Sequence, residues 1–353
     1  MKGLSLFSSA GIGETYLSEV GIDIIVANEL IEKRANLHSQ LFPTCNTICG
    51  DITNKKIFSQ IIEASRGVEF IIASPPCQGM SIAGKNRDIE QMAQDPRNTL
   101  INYVFDIIEI LRPLYVLIEN VPQLLKIKIL YNNQMKTIVE ILNIKFGDEY
   151  NIDAKSIDAS DYGVPQTRHR AIIKMSPKNV DWKWAEPEKK KISVRDAIGH
   201  LPSLEAGQDS GIKWHFARSH STNNILCMQH TPTGCSAFSN PEYYPKKDNG
   251  ERVKGYYSSY RRIKWDEPAP TITMRNDCIA SQRNVHPGRK LSNGLYSDAR
   301  VLTPLELMIL SSLPENWAIP DDTPELLIRQ VIGESIPPMM IKKIVQTIPN
   351  IKG

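Results

Sequence analysis

Short apolar runs separated by amphipathic stretches fill the first half of the chain. The runs predict five buried strands: LSLF (4–7), DIIVANE (23–29), FIIASPP (70–76), VLIENV (116–121) and AIIKM (171–175). Helix-like periodicity or composition marks five segments between them: 14–20, 33–41, 55–64, 98–111 and 134–142. Nearly continuous apolar strands joined by helices are typical of a doubly wound, mostly parallel α/β sheet. Such a sheet places its binding site at the carboxyl ends of the strands.

The pattern changes at about Met175, where Pro, Gly, Asn and aromatic residues rise and long periodic helices disappear. We predict a domain boundary there, followed by a smaller, loop-rich lobe with a few strands such as PAPTITM (268–274). Helical signals return at Thr303, the predicted cap of a helix that has Pro304 in its first position. Two further helices are predicted at 324–332 and 338–347. The chain therefore divides into three segments, 1–185, 186–295 and 296–353, and the last helix is predicted to return to the first domain.

The composition is typical of a globular protein and argues against a membrane protein. The chain of 353 residues is 41% hydrophobic and 23% charged, which is ordinary for a globular protein, and no apolar run reaches the length needed to cross a bilayer. The N-terminus lacks the three-part pattern of a secretory signal peptide, so we expect a cytoplasmic protein with no membrane role. The cysteines, at positions 45, 49, 77, 227, 235 and 278, fit free thiols better than a disulfide framework.

The net charge of +3 is too small to identify a nucleic-acid partner, but the distribution of charge is more informative. Basic residues crowd the C-terminal half beside aromatic ones, and this mixture suits a polyanion whose bases can stack. The set comprises Arg218, Arg252, Lys254, Arg261, Arg262, Lys264, Arg275, Arg283, Arg289 and Lys290, with Tyr256, Tyr257, Tyr260 and Trp265. The composition therefore favours a recognition surface in this lobe.

A turn of small residues, in LFSSAGIGE (6–14), follows the first predicted strand and holds Gly11 and Gly13. Glycines let the backbone approach a ligand and leave helix N–H groups open to it. The dinucleotide fingerprint needs a third glycine, and Thr15 and Tyr16 stand where it is sought. A nicotinamide cofactor is therefore disfavoured.

Two carboxylates accompany this turn. Glu29 ends the second predicted strand, where a carboxylate suits the hydroxyls of a ribose. Asp51 follows the next strand position and could accept a hydrogen bond from an adenine amino group. Either residue alone is better explained as a surface acid or a helix cap. Their order and spacing together favour a nucleoside cofactor.

Four side chains in the first half could carry chemistry. Cys77 follows an apolar strand and two prolines, which would hold its thiol at the mouth of the sheet; the alternative is a buried, inert cysteine. Glu119 ends the next strand at the same edge, either as a proton donor or as a surface salt-bridge partner. Arg168 and Arg170 would project from one face of an extended segment. There they could clamp a phosphate, a base carbonyl or a carboxylate, or form a solvated basic edge.

In their order along the chain, these motifs resemble those of the cytosine-C5 DNA methyltransferase family over nearly the whole length. The matching segments are LFSSAGIGE (6–14), NE (28–29), GDI (50–52), PPCQ (75–78), DPRNTL (95–100), ENV (119–121), QTRHR (166–170), RVLTPLE (300–306) and GESIPP (333–338). Each is ambiguous alone, but the ordered set is highly specific. The chain departs from the family at Ser8 and Ser9, where glycine or alanine is frequent, and at Glu334, where asparagine is usual.

The resemblance implies a pocket for S-adenosyl-L-methionine, lined by Phe7, Gly11, Gly13, Glu29, Asp51, Ile52, Leu100 and Ser335. It also implies a catalytic group of Cys77, Glu119, Arg168 and Arg170. The Cys77 thiolate would add to C6 of cytosine while Glu119 gives or shares a proton at N3, and the activated C5 would then take the methyl group. Arg170 would hold the base carbonyl and Glu119. Arg168 would support the surroundings of Cys77 and the DNA backbone.

The partner implied by the resemblance is double-stranded DNA, with the target base flipped out of the helix. Residues 1–185 would form the catalytic domain and residues 186–295 the target recognition domain. Gln78 and Ser81 would close over the flipped nucleotide, and Thr303 would contact a phosphate. Thr233, in a turn of small polar residues, would read bases. We expect a monomer that protects host DNA in a restriction-modification system, with the restriction endonuclease acting separately.

Three other functions fit parts of the sequence. A tRNA cytosine-C5 methyltransferase would carry similar motifs, but that branch has a Cys-Phe-Thr signature that this chain lacks. A catalytically silent DNA-binding protein is disfavoured by the intact catalytic group, and a nicotinamide oxidoreductase leaves the Pro-Pro-Cys segment unexplained. We expect no metal site, because Cys45 and Cys49 lack a second ligand pair at zinc-finger spacing.

Overall fold

The structure, a computed structural model, describes residues 1–76, 100–247 and 249–349. The chain forms two compact units. Unit 1 comprises Met1–Asp158, His169–Glu186 and Met340–Gly353, and unit 2 comprises Ala159–Arg168 and Pro187–Met339. Residues 296–339 thus belong to the same unit as residues 187–295, so compactness alone does not separate the second predicted domain from the third. The predicted functions of the three segments remain predictions.

The described residues of unit 1 form nine strands: β1 (Lys2–Leu6), β2 (Asp23–Glu29), β3 (Asn46–Cys49), β4 (Phe70–Ala73), β5 (Tyr115–Asn120), β6 (Lys128–Tyr131), β7 (Gln134–Thr137), β8 (Tyr150–Asp158) and β9 (His169–Pro177). Seven form one sheet in the order β3-β2-β1-β4-β5-β9-β8, and β6 and β7 form a hairpin. The first five strands of that order are parallel, whereas β9 is antiparallel to both β5 and β8. The predicted doubly wound, mostly parallel α/β sheet is confirmed. Because the winding direction reverses between β1 and β4, their carboxyl ends border the crevice where such sheets bind ligands.

Four α-helices lie wholly within the described part of unit 1, and two of them begin at side-chain caps. They are α1 (Glu32–Leu41), α2 (Lys55–Ala64), α3 (Leu100–Leu111) and α4 (Ile138–Phe146). The Asn54 side chain accepts a hydrogen bond from Lys56 N at the start of α2, and Thr137 and Glu140 form a capping box at the start of α4. The apolar face of α3 packs with Leu4 and Val116 in the core of the sheet.

Unit 2 has little regular structure and is organised around buried arginines. Its helices are α5 (Val194–Ile198), α6 (Thr222–Gln229), α7 (Pro304–Leu310) and α8 (Glu325–Glu334), and α9 (Pro338–Val345) follows. The fully buried Arg262 donates hydrogen bonds to backbone carbonyls of Met228, His286, Ser297 and Asp298. One guanidinium therefore ties the C-terminal end of α6 to loop carbonyls at positions 286, 297 and 298.

Several predicted elements are wrong. The segment predicted as a helix at 14–20 consists of two 3₁₀ turns, Ile12–Glu14 and Ser18–Val20, because its N–H groups bond to carbonyls three residues back. The first part of the predicted helix 134–142 is strand β7. Asn132 and Asn133 both adopt positive φ, 48° and 59°, and so make the tight turn of a hairpin.

Two further strand predictions need correction. AIIKM lies in β9, which is antiparallel, and its partner β8 was not predicted. PAPTITM forms no strand: Ala269 makes one isolated bridge with Gln166. Among the helices that the structure describes, none is both long and apolar enough to cross a membrane.

Candidate active site

The chain leaves β1 in a tight turn with three left-handed residues, Phe7 (φ 59°), Ser9 (φ 49°) and Gly11 (φ 75°). Ser8 N donates to Asn28 O at 3.0 Å, which ties the turn to β2. A Cβ atom on Gly11 would lie 2.4 Å from Cε2 of Phe42, at the end of α1. Position 11 therefore requires glycine both for its φ and for this close approach. Gly13 follows in the first 3₁₀ turn.

Glu29, the last residue of β2, is only 6% exposed, and its carboxylate holds this turn. Its Oε2 accepts a hydrogen bond from Ser9 N and its Oε1 accepts one from Ile31 N, both at 2.8 Å. A carboxylate oxygen has two lone pairs, so both oxygens can accept a further bond from a ligand hydroxyl.

The turn after β3 carries the second predicted acid. Asn28 Nδ2 donates to the carbonyls of Ile48 and Gly50, both at 3.0 Å, and so fixes the backbone that leads to Asp51. Asp51 is exposed, and its Oδ1 accepts a hydrogen bond from Thr53 N at 2.9 Å. Ile52 is 3% exposed and packs in the core. Leu100 is half-buried at the start of α3.

A buried histidine lies behind the glycine turn and was not predicted from the sequence. His38 on α1 is fully buried, with Nε2 3.1 Å from Glu14 Oε2 and Nδ1 2.8 Å from Thr47 Oγ1. Glu14 begins the predicted helix at 14–20 and His38 lies in the predicted helix at 33–41, and no local pattern indicates that the two side chains pair. The contact links the 3₁₀ turn to α1 and β3.

The predicted nucleophile Cys77, together with Gln78 and Ser81, lies outside the described residues. The described chain leads toward Cys77 from the end of β4. Ser74 N donates to Leu6 O at 3.2 Å, and Asn120 Nδ2 donates to Pro75 O at 2.9 Å. The Pro-Pro segment is thus held at the carboxyl edge of the sheet, between the ends of β1 and β5.

Glu119 and Arg170 meet at this edge. Glu119 Oε1 lies 2.7 Å from Arg170 Nε, and the two side chains are only 8% and 13% exposed. Glu119 lies on β5 and Arg170 on the neighbouring β9, whose antiparallel direction brings Arg170 beside the carboxyl end of β5. The structure therefore joins two of the four residues predicted to form the catalytic group.

Arg168 is placed differently from the prediction. It precedes β9, belongs to unit 2 and is 2% exposed, whereas Arg170 lies within β9. Its Nη1 donates to Ile272 O at 2.7 Å and its Nη2 to Gly333 O at 3.0 Å. Burial leaves no surface for the predicted contact with the DNA backbone, and the side chain instead joins segments of unit 2.

Three hydroxyl groups that were predicted to contact DNA or the cofactor form hydrogen bonds within unit 2. Thr303 is fully buried and caps α7, where its Oγ1 accepts from Glu306 N, so the predicted contact with a phosphate is wrong. The Thr233 hydroxyl donates to Pro287 O at 2.8 Å, and the Ser335 hydroxyl at the end of α8 donates to Ile332 O at 2.9 Å. Within the described ranges, no group of three His, Cys, Asp or Glu side chains could hold a metal ion.

Several known proteins are similar to this chain in sequence or in structure. A family model described as C-5 cytosine-specific DNA methylase matches residues 1–350. Type II methyltransferase M1.HgaI of Avibacterium volantium is 59% identical over 353 residues, with 99% of this chain and 98% of that protein covered. Type II methyltransferase M1.HphI of Haemophilus parahaemolyticus is 27% identical, with 98% of this chain and 86% of that protein covered. A solved structure of a DNA modification methyltransferase encoded within an E. coli prophage shares the fold, with a TM-score of 0.68, 20% identity and 99% of each chain covered.

Proposed function

The chain belongs to the C-5 cytosine-specific DNA methylase family, and from this premise we propose that it transfers the methyl group of S-adenosyl-L-methionine to C5 of a cytosine flipped out of duplex DNA. It is a DNA (cytosine-5-)-methyltransferase. The observation that best supports the proposed chemistry is the ion pair of Glu119 and Arg170. It lies at the sheet edge where Asn120 holds the segment that leads to Cys77.

The residues after β1, β2 and β3 suit S-adenosyl-L-methionine. The Glu29 carboxylate would accept hydrogen bonds from the ribose hydroxyls, and the exposed Asp51 would accept one from the adenine amino group. The turn that contains Gly11 would let the backbone approach the ligand closely. Phe7 and Leu100, both half-buried, would supply apolar contacts. When bound, this cofactor supplies an electrophilic methyl group on a sulfonium.

The protein's own groups would activate the cytosine, whose C5 is a poor nucleophile. The Cys77 thiolate would add to C6, forming a carbon–sulfur bond as the C5–C6 double bond opens, while Glu119 gives or shares a proton at N3. The electron pair released into the ring makes C5 nucleophilic toward the methyl group. Loss of the C5 proton to a base, with return of the N3 proton to Glu119, would then restore the C5–C6 double bond and expel the Cys77 thiolate. Arg170 would hold Glu119 in place and bind the base carbonyl.

The reacting atom is inaccessible within a stacked duplex, so the base must leave the helix, at an unstacking cost of about a few kcal/mol. Because the 59% identical relative is a Type II methyltransferase, we include in the proposal a role in a restriction-modification system. The chain would act as a monomer, separately from the restriction endonuclease.

The test is transfer of labelled methyl from S-adenosyl-L-methionine to mixed-sequence duplex DNA, with the product nucleoside identified by mass spectrometry. Wild type is expected to form 5-methylcytosine and Cys77→Ser none. Cys278→Ser, which changes a half-buried cysteine elsewhere in the chain, is the matched control and should remain active. Modification of tRNA but not of DNA by the wild-type protein would overturn the proposal in favour of an RNA substrate.

A further inference from the structure

Exposure separates the basic and aromatic residues of unit 2 into two groups. Arg262 and Trp265 are buried, whereas Tyr256 and Tyr257 are 64% and 62% exposed. Of all the Phe, Tyr and Trp residues that the structure describes, only these two are exposed. Two adjacent exposed rings leave a large apolar area in water, and such area commonly marks an interaction site.

The segment that carries them, residues 254–258, is called here the Tyr loop, and its backbone is well anchored. A Cβ atom on Gly255 would lie 2.8 Å from Cζ of Phe238, so the loop rests directly on the buried Phe238 ring. Ser259 N donates to Tyr256 O, and Arg283 N donates to Ser258 O, both at 2.8 Å. The rings are therefore displayed on a preformed turn, and little conformational entropy would be lost on binding.

The charge around the Tyr loop identifies the kind of partner. Residues 252–264 contain five basic side chains and no acidic one. Arg262 is buried and Lys264 pairs with Glu267, but Lys254 is exposed within the loop. Arg261 is half-buried, and its Nη1 donates to Tyr257 O at 3.5 Å, which places its guanidinium beside the loop. Positive charge beside exposed aromatic rings suits a partner that presents both phosphates and bases.

We propose that Tyr256 and Tyr257 make apolar contacts with the bases of the DNA substrate, while Lys254 and Arg261 contact its phosphates. This inference rests on the proposed function and goes beyond it by naming the residues of unit 2 that engage the bases. It also replaces Thr233, whose hydroxyl bonds within the protein, as the base-contacting residue.

Binding and its salt dependence test this assignment. A labelled duplex that the wild-type protein selects from a random-sequence pool is titrated with Tyr256→Ala/Tyr257→Ala, Tyr256→Phe/Tyr257→Phe, Lys254→Ala and the control Leu326→Ala, an exposed residue of α8 that is 47% exposed. The double alanine variant is expected to bind about tenfold or more weakly, with an unchanged slope of log K against log salt. The phenylalanine variant should bind like wild type. Lys254→Ala should lower the slope by about 0.9.

Three outcomes would overturn the inference. The double alanine variant could bind as well as Leu326→Ala, it could lower the salt slope as Lys254→Ala does, or the phenylalanine variant could bind as weakly as the alanine variant. Binding is measured without methyl transfer. A wild-type protein that binds a selected duplex but methylates no DNA would therefore overturn the proposed reaction and leave the binding test intact. A wild-type protein that methylates DNA but selects no duplex would overturn this inference and leave the proposed reaction intact.

Discussion

The ion pair of Glu119 and Arg170 shows how strongly burial determines what a charged residue contributes to stability. Its side chains are 8% and 13% exposed, whereas the pair of Arg112 and Glu149 is exposed by 47% and 55%. Removing one partner of a buried pair leaves an uncompensated charge in a poorly solvated setting. Removing one partner of an exposed pair returns the other to water, and little stability is lost.

We therefore expect Arg170→Met to lower the free energy of unfolding by about 3 kcal/mol. The matched change Arg112→Met should lower it by less than about 1 kcal/mol. Urea denaturation of both variants measures the difference. Equal losses would show that the Glu119–Arg170 pair behaves as a surface pair, and the interpretation of the edge as a desolvated site would be wrong.

At the level of elements, the turn between β1 and the first 3₁₀ turn depends on contact with α1. Gly11 and Gly67 have nearly the same φ, 75° and 78°. A Cβ atom on Gly11 would meet Phe42 at 2.4 Å, whereas one on Gly67 would have nothing within 4 Å. Alanine substitutions at these two positions therefore distinguish the strain of a left-handed residue from the effect of a close contact.

Gly67→Ala should lower the free energy of unfolding by about 1 kcal/mol, from the left-handed conformation alone. Gly11→Ala should lower it by about 2 kcal/mol more, because the methyl group displaces Phe42 or the turn. Displacement of the turn should also weaken S-adenosyl-L-methionine binding about tenfold, as measured by calorimetry. If both variants lose the same stability and keep wild-type affinity, the turn does not depend on this contact.

Helix α7 gives a second prediction at this level. Thr303 and Thr137 each form a capping box with the glutamate three residues on, but Thr303 is fully buried. Thr303→Ala should lower the free energy of unfolding by about 1–2 kcal/mol, and Thr137→Ala by a comparable amount. Neither change should alter the salt slope of DNA binding. If Thr303→Ala alone lowers the salt slope, Thr303 does contact a phosphate, contrary to what the burial of its side chain indicates.

At the scale of the whole molecule, several ionisable side chains are buried or half-buried in unit 2. Burial, with Arg300 nearby, lowers the pKa of His286 to about 3, and partial burial, with Arg218 nearby, lowers the pKa of the half-buried His220 to about 4. Burial alone would raise the pKa of Glu306, but Arg300 and His286 beside it lower the pKa to about 2. Arg300 donates hydrogen bonds to both carboxylate oxygens of Glu306, at 2.8 and 2.9 Å.

These shifts predict that acid destabilises the protein. An unfolded histidine titrates near pH 6.5, so between about pH 4 and 6.5 the unfolded chain binds more protons than the folded one, and stability falls as the pH falls. Each neutral buried histidine contributes a slope of about 1.4 kcal/mol per pH unit well below pH 6.5. The Glu306 pair adds to the loss at lower pH, as its carboxylate is protonated.

The measurement is urea denaturation between pH 4.5 and 7.5 for wild type, His286→Gln and the control His169→Gln, whose side chain is 62% exposed. His286→Gln should flatten the dependence, since it removes one proton taken up on unfolding, and His169→Gln should leave the slope unchanged. A wild-type stability that is constant over this range would show that the buried histidines are not held neutral.

The sequence by itself determined much of the secondary structure of unit 1 and the family to which the chain belongs. Four of the five predicted strands are parallel strands of the sheet, and α2 has the predicted bounds at 55–64. Both results rest on local periodicity, because a strand buried on two faces must be apolar along its length and an amphipathic helix repeats every three to four residues. The ordered motifs identified the family, which the match over residues 1–350 confirms.

Only the tertiary structure decided the direction of β9, which brings Arg170 to Glu119, and the burial of Arg168 and Thr303. It also decided which residues of the basic and aromatic segment are exposed, leaving Tyr256 and Tyr257 in solvent and Arg262 in the interior. The physical reason is the same in each case. Periodicity records which side of an element a residue occupies, whereas strand direction and the burial of a polar group depend on contacts with residues far away in the chain. A sequence pattern therefore identifies the side chains that could react or bind. The packing of distant segments determines which of them can contact a substrate.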